Sequence, residues 1–286
     1  MTQQRRFIQC DVFTATPTRG NALAVIVDGV ANGVALTDEQ MQTVAAWTNL
    51  AETTFLFPPE HPDADYKVRI FTPSREMLFA GHPTLGSCFS WLHTGGKPKI
   101  AGLVKQECGV GIVEIDISNS PPAFVAPPTS IDPLPDENLQ TIIKALDVNP
   151  SHVVNNKLLV NGPTWHVLEL ETAEQVLAVD SSRVRWPEFN SIGLIAKHKE
   201  GAECDYEVRL LAPSSGMSED PITGSLNAAL AIWLNAEGRL DKDLLIAQGT
   251  TVNRHGRVYI TPDNNQPDVV RIGGHTHLLI EGVISL

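Results

Sequence analysis

The sequence predicts an α+β protein of two similar domains. Each would be a barrel-like curved β-sheet around a central α-helix, the two related by a pseudo-twofold. Three observations predict it. First, a ten-residue segment occurs twice, as DYKVRIFTPS at 65–74 and DYEVRLLAPS at 205–214, with six identical positions. A unit of this size is a duplicated domain and not a short solenoid repeat. Second, each copy is followed by a small-residue turn running into an apolar stretch, GHPTLGSCFSWL from Gly81 and EDPITGSLNAAL from Glu219. Third, residues 118–135 hold six prolines and little periodicity, which reads as a linker between the copies. The expected domains are residues 1–120 and 130–276, with a last strand at about 277–286 open to pairing back with the first domain.

The chain opens with a strand expected over Phe7–Phe13, a turn around Pro17, Arg19 and Gly20, and a second strand over Ala22–Val27. Thr37-Asp38-Glu39-Gln40 reads as a capping box, with Thr37 capping a helix and Gln40 reaching back. Met41, Val44, Ala45 and Trp47/Thr48 would supply that helix's buried face up to Leu50. Glu52 follows the helix, and a strand resumes over Thr53–Phe57. The second half echoes this. Lys157–Val160 and Trp165–Leu170 would pair around Asn161-Gly162-Pro163, and Thr172-Ala173-Glu174-Gln175 repeats the capping signature. For the two central helices, Pro83 and Pro221 suit the first helical position, where a missing N–H costs nothing. Gly95 and Gly238 suit the C-terminal stop. Ser87–Leu92 and Leu226–Leu234 are apolar on nearly every side, as in a helix wrapped by other structure.

Bulk composition bounds the function. The 286 residues carry a net charge of −12 with no run of Lys and Arg, so nucleic acid is not an expected partner. No apolar stretch approaches the length needed to span a bilayer, and the first residues lack a secretory apolar core. Cys10, Cys88, Cys108 and Cys204 form no CxxC pair and no metal-like spacing with the nine histidines, so no metal site is expected. Isolated cysteines fit a reducing cytoplasm and small buried apolar positions. No dinucleotide or P-loop pattern and no G-x-S-x-G elbow occurs, so no cofactor is expected.

Each central helix would begin with unpaired backbone N–H groups and a positive dipole end. Two such starts facing one cleft would attract an anion, best a carboxylate on a small molecule. His82 and Asp220 each immediately precede a matched proline, and both can carry a proton. Asp220 is also what an ordinary N-cap would look like. Glu52, between a helix and an apolar strand, would be partly desolvated, which raises a carboxyl pKa toward useful acid/base values. A solvent-facing loop glutamate is the plain alternative. The second half has Asn190 or a neighbour near the equivalent place, so this carboxylate belongs to one half only.

DVFT with Arg19-Gly20-Asn21, AETTF (51–55), FAGHPTLG (79–86), EDPITGS (219–225) and QG…HGR (248–257) together resemble the PhzF family of phenazine-biosynthesis isomerases. Their order and spacing hold along nearly the whole chain. The resemblance implies the diaminopimelate-epimerase fold with a site between two domains. It also implies a cofactor-free, proton-shifting isomerase, commonly a homodimer. By the same resemblance Glu52 is the principal acid/base, with His82 and Asp220 as its polar partners. Substrate contacts are implied at Asn21, at Gly81, Pro83 and Thr84, and at Thr223, Gly224 and Ser225. Three positions depart from the pattern: Ala51 for a frequent Ser, Ser218 for a small apolar residue, and Leu226 for a common Ala, which would narrow the pocket. Neither helix start holds Cys, which disfavours a two-thiol racemase. The expected activity is thus an isomerase acting on a small carboxylate-bearing substrate. The alternatives are an epimerase with Glu52 and Asp220 as opposed bases, or a non-catalytic small-molecule binder on the same fold.

Overall fold

The computed structural model describes residues 2–214, 217–263 and 266–286. The chain forms two compact units, residues 1–125 with 273–286, and residues 126–272.

Unit 1 begins with β1 (Gln4–Val12) and β2 (Asn21–Ile26), antiparallel with Val12 opposite Asn21. A minute hairpin, β3 (Val30–Ala31) and β4 (Val34–Ala35), leads to α1 (Asp38–Thr48). The Thr37/Gln40 capping box is present, and Met41, Val44 and Ala45 are buried. Trp47 is not: it is 78% exposed. At 100° per residue it points more than a quarter-turn away from the centre of the stripe made by 41, 44, 45 and 48. Next come β5 (Glu52–Phe57), parallel to β2, and β6 (Tyr66–Phe71), antiparallel to β5. The short β7 (Glu76–Met77) pairs with the end of β6 and precedes α2 (Gly81–His93). Then β8 (Leu103–Cys108) runs parallel to β6, and β9 (Gly111–Asp116) and β10 (Ala123–Val125) continue antiparallel. α2 packs against β1, β2, β5, β8 and β10, so the sheet curves around it. Gly86 makes that approach possible: a Cβ there would stand 2.5 Å from Leu23 Cδ2.

Unit 2 repeats this order. β11 (Ser130–Asp132) and the amphipathic α3 (Asp136–Leu146) precede β12 (Val153–Val160) and β13 (Thr164–Leu170), an antiparallel pair. α4 (Ala173–Ala178) follows, with its own capping box at Thr172/Gln175. β14 (Ile192–Lys197) is parallel to β13, and β15 (Tyr206–Ser214) is antiparallel to β14. The short β16 (Met217–Asp220) folds back on β15 and leads to α5 (Gly224–Ala236). β17 (Leu244–Gln248) runs parallel to β15, with β18 (Gly256–Pro262) antiparallel beyond it and β19 (Val270–Gly273) after. Strand for strand, β12 to β18 have the directions of β1, β2 and β5 to β9. The proline-rich stretch therefore carries two short strands, β10 and β11, and is no bare linker. The final strand, β20 (Thr276–Ser285), pairs antiparallel with β1 as β11 pairs with β12.

The repeated DYxVR segment now has a physical reason at each residue. Asp65 accepts from the Lys105 N–H and donates its own N–H to the Lys105 carbonyl, both at 2.7 Å. Asp205 latches Leu245 in the same way. The Tyr and Val of each copy are buried. Arg69 makes a two-pronged pair with Glu76, and Arg209 makes one with Glu219.

The helix ends match the sequence reading; the starts do not. Gly95 (φ 97°) and Gly238 (φ 67°) stand one residue past the C-caps. The Gly96 N–H reaches the Trp91 carbonyl and the Arg239 N–H the Leu234 carbonyl, the six-to-one bond of a glycine-terminated helix. Pro83, however, is the third residue of α2, and Pro221 lies outside α5 altogether. The helices correspond through Gly81 and Gly224, 143 positions apart, not through the prolines, 138 apart. The fourth residue confirms the register. Thr84 Oγ1 donates to the Ala80 carbonyl and accepts from Gln106 Nε2, while Asn227 Nδ2 donates to the Thr223 carbonyl and to Gln248 Oε1. His82 is thus the counterpart of Ser225, not of Asp220. Ser87 is seven residues into α2 and bonds Thr54 Oγ1, so it belongs to no helix start.

Candidate active site

In unit 1 three elements bring Asn21, Glu52 and His82 together. α1 ends at Asn49 in the left-handed conformation, which turns the chain directly into β5 with Glu52 as its first residue. Leu23 of β2 lies opposite Glu52, which sets Asn21 two residues away on the adjoining strand. His82 enters from the second position of α2. Asn21 Nδ2 is 3.4 Å from His82 Nδ1, and His82 Nε2 is 3.4 Å from Glu52 Oε2. An amide nitrogen can only donate, so Nδ1 accepts and the ring proton sits on Nε2, facing the carboxyl group.

Burial lowers the His82 pKa to about 3. The ring is therefore neutral near neutrality, and the contact with Glu52 is an N–H facing a carboxyl, not an ion pair. His82 Nε2 is buried and makes no hydrogen bond within the protein, so its proton is available to a group arriving beside Glu52. Because the folded pKa lies below the ordinary 6.5, the stabilisation from keeping His82 neutral is fully present above about pH 6.5. It falls as pH drops toward 3, at up to ~1.4 kcal/mol per unit. Denaturant midpoints of the native protein and His82→Gln, compared from pH 7 to pH 4, should converge as the native protein loses stability faster. Parallel curves would mean that His82 takes up its proton in the folded state without penalty.

The start of α2 has no side-chain cap: Ala80 stands in that place, so the first N–H groups lack a side-chain acceptor. Pro83 and Thr84 are buried, and the Thr84 hydroxyl is committed to the Ala80 carbonyl.

In unit 2, Asp220 ends β16 and is not an N-cap. Thr223 holds the cap position of α5 but does not cap it. Its hydroxyl donates to Asp220 Oδ2 instead, so the cap side chain accepts from none of the helix's N–H groups, while the Thr223 N–H itself is taken by Gln248 Oε1. Asp220, Thr223 and Ser225 are each about 8% exposed. By strand register the counterpart of Glu52 is Ser191, beside Asn190, and it carries no carboxylate. Leu226 fills the core: its Cδ1 lies 3.2 Å from where a Cβ of Gly193 would stand, so it does not narrow a pocket. The same spacing explains the glycine at 193.

Gln248 and Gln106 were given no role by the sequence reading. The only signal for Gln248 was its place in the QG motif. Among the described residues no helix is long and apolar enough to cross a membrane.

Comparison with known proteins places the chain in a family. The chain is 33% identical to Antisense-enhancing sequence 1 of Schizosaccharomyces pombe over 98% of each chain. It is 27% identical to the trans-2,3-dihydro-3-hydroxyanthranilate isomerase of Pseudomonas aeruginosa, covering 97% of this chain and 98% of that one. Its fold is that of the Bacillus anthracis phenazine biosynthesis protein of the PhzF family, with a TM-score of 0.80 at 20% identity over 99% of both chains. The family model for phenazine biosynthesis-like proteins matches residues 10–282, and the chain belongs to that family, PhzC-PhzF.

Proposed function

We propose that the protein is an isomerase that moves a proton within a small carboxylate-bearing substrate, using Glu52 as its acid/base. The observation that carries this reading is the line Asn21–His82–Glu52. It joins a buried, neutral imidazole, its proton fixed on Nε2, to a carboxyl group at a strand start. Glu52 as carboxylate takes a proton from a carbon activated by its neighbours. The electron pair moves along an adjoining double bond, and the proton returns at another carbon. No atom is gained and nothing is oxidised, so the chain's own groups suffice. His82 donates to negative charge that develops beside Glu52, and the backbone N–H groups at the uncapped start of α2 receive the substrate carboxylate. They let a protein of net charge −12 bind an acid without a basic surface. Asp220 is proposed as the second proton-handling group, and Ser225 and Gly224 as carboxylate contacts.

The relatives suggest the first substrate to try, trans-2,3-dihydro-3-hydroxyanthranilate. Turnover in heavy water, followed by NMR, tests the reaction class. Deuterium at a new carbon supports the isomerase. Deuterium only at the original carbon would make the protein an epimerase, and saturable binding without any incorporation would make it a binder.

A further inference from the structure

We propose that Gln248 is a positioning residue that aims the Thr223 hydroxyl at Asp220, the unit 2 version of the arrangement by which Asn21 aims His82 at Glu52. The inference rests on the reading that Asp220 handles a proton. Gln248 is the last residue of β17 and is fully buried. Its Oε1 accepts from the Thr223 N–H at 3.0 Å and from Asn227 Nδ2 at 2.8 Å. These two donors fix which end of the amide is which. Its Nε2 therefore donates, to Thr223 Oγ1 at 3.2 Å and toward the Asp220 carbonyl at 3.5 Å.

A hydroxyl has one hydrogen. With Gln248 donating to Thr223 Oγ1, that hydrogen must go to another acceptor, and the acceptor present is Asp220 Oδ2. The same logic runs in unit 1, where the Asn21 amide donates to His82 Nδ1 and so leaves the single ring proton on the side of Glu52. Each unit thus has a side-chain amide, a group with one hydrogen to give, and a carboxylate, in that order.

The neighbours of Gln248 brace the same turn. Gly249 (φ 89°) brings its backbone so near that a Cβ would stand 2.6 Å from the Pro221 carbonyl oxygen. Thr251 Oγ1 donates to Glu219 Oε1 at 2.6 Å. Residues 248, 249 and 251 therefore touch 223, 221 and 219 in turn. This gives the Gln-Gly part of the QG…HGR motif a task that the reaction scheme alone left unassigned.

The test uses the full chain with Gln248→Met, Thr223→Val, Thr223→Ser and the Gln248→Met/Thr223→Val double variant. The first readout needs no substrate. In threonine-labelled protein the Thr223 hydroxyl proton should be visible by NMR and slow to exchange. It should be lost or shifted in Gln248→Met, while Thr223→Ser, prepared with serine label instead, keeps an equivalent signal. An unchanged signal in Gln248→Met overturns the proposal. The second readout is turnover of trans-2,3-dihydro-3-hydroxyanthranilate. Gln248→Met should lower kcat about 10-fold or more, the usual effect of losing a hydrogen bond that acts on a charged group, with KM little changed. Thr223→Ser should recover most of the loss seen in Thr223→Val. The double variant should be no worse than Thr223→Val alone, because both act through one hydroxyl. Losses that multiply would make Gln248 a purely structural residue and overturn the proposal. A native protein that binds but does not turn over the substrate would sink the isomerase reading and leave the NMR result to decide this one.

Discussion

Glu52→Gln is expected to bind substrate nearly as the native protein does and to lose about 10²–10⁴-fold in kcat, the usual worth of a positioned acid/base. The substitution keeps the size of the side chain and its ability to face His82 Nε2, 3.4 Å away. It removes the one function an amide cannot supply, taking and returning a proton. Steady-state kinetics in the forward direction and deuterium exchange in heavy water should fall together, because both depend on the same abstraction. His82→Asn and Asp220→Asn should cost less, since these groups donate or relay without breaking the carbon–hydrogen bond. Near-native turnover in Glu52→Gln with an inactive Asp220→Asn would reverse the assignment and make Asp220 the base.

The second large effect is on stability. Arg209→Met is expected to destabilise the protein by about 3–5 kcal/mol, because it leaves the Glu219 carboxylate buried without its counter-ion. The Arg209 and Glu219 side chains are 2% and 1% exposed. Arg209 also donates to the Val176 and Val179 carbonyls at the end of α4, so one guanidinium ties that helix to β16. The duplication supplies the control. Arg69 occupies the same place in unit 1, but its partners Glu76 and Asp38 are 41% and 83% exposed. Solvent screens that pair, so Arg69→Met should cost about 1 kcal/mol or less. Denaturant melts of the two variants at neutral pH make the comparison, and equal losses would contradict it.

What could be read from the sequence was mostly local chemistry. The capping boxes at Thr37 and Thr172 and the stops at Gly95 and Gly238 each depend on a few adjacent residues. The helix starts could not be read in that way. Proline and glycine both signal an N-terminus, and in these halves the two signals disagree by five positions. Matching Pro83 with Pro221 put His82 opposite Asp220. The main-chain register puts it opposite Ser225. Gly86 and Gly224 likewise look equivalent but act differently, one permitting close packing within a helix and the other opening one. The contact of Asn21 with His82 depends on how α2 packs against β2, across 61 positions, which no local pattern encodes. Gln248 and Arg209 were marked only by motif, the Gln-Gly pair and the repeated DYxVR; both are polar and buried, and such a residue must have partners waiting inside.

The return of β20 to β1 has a consequence for how the molecule is made. Main-chain bonds join Gln3 and Leu286 in both directions, so the last-described residues close the sheet that the earliest ones open. All of unit 2 lies between them in the chain. A ribosome therefore releases every residue of unit 2 before it supplies β20. Through that interval β1 has β2 on one side and an unfilled edge on the other, and the half of the protein that carries Glu52 and His82 is the later of the two to be complete.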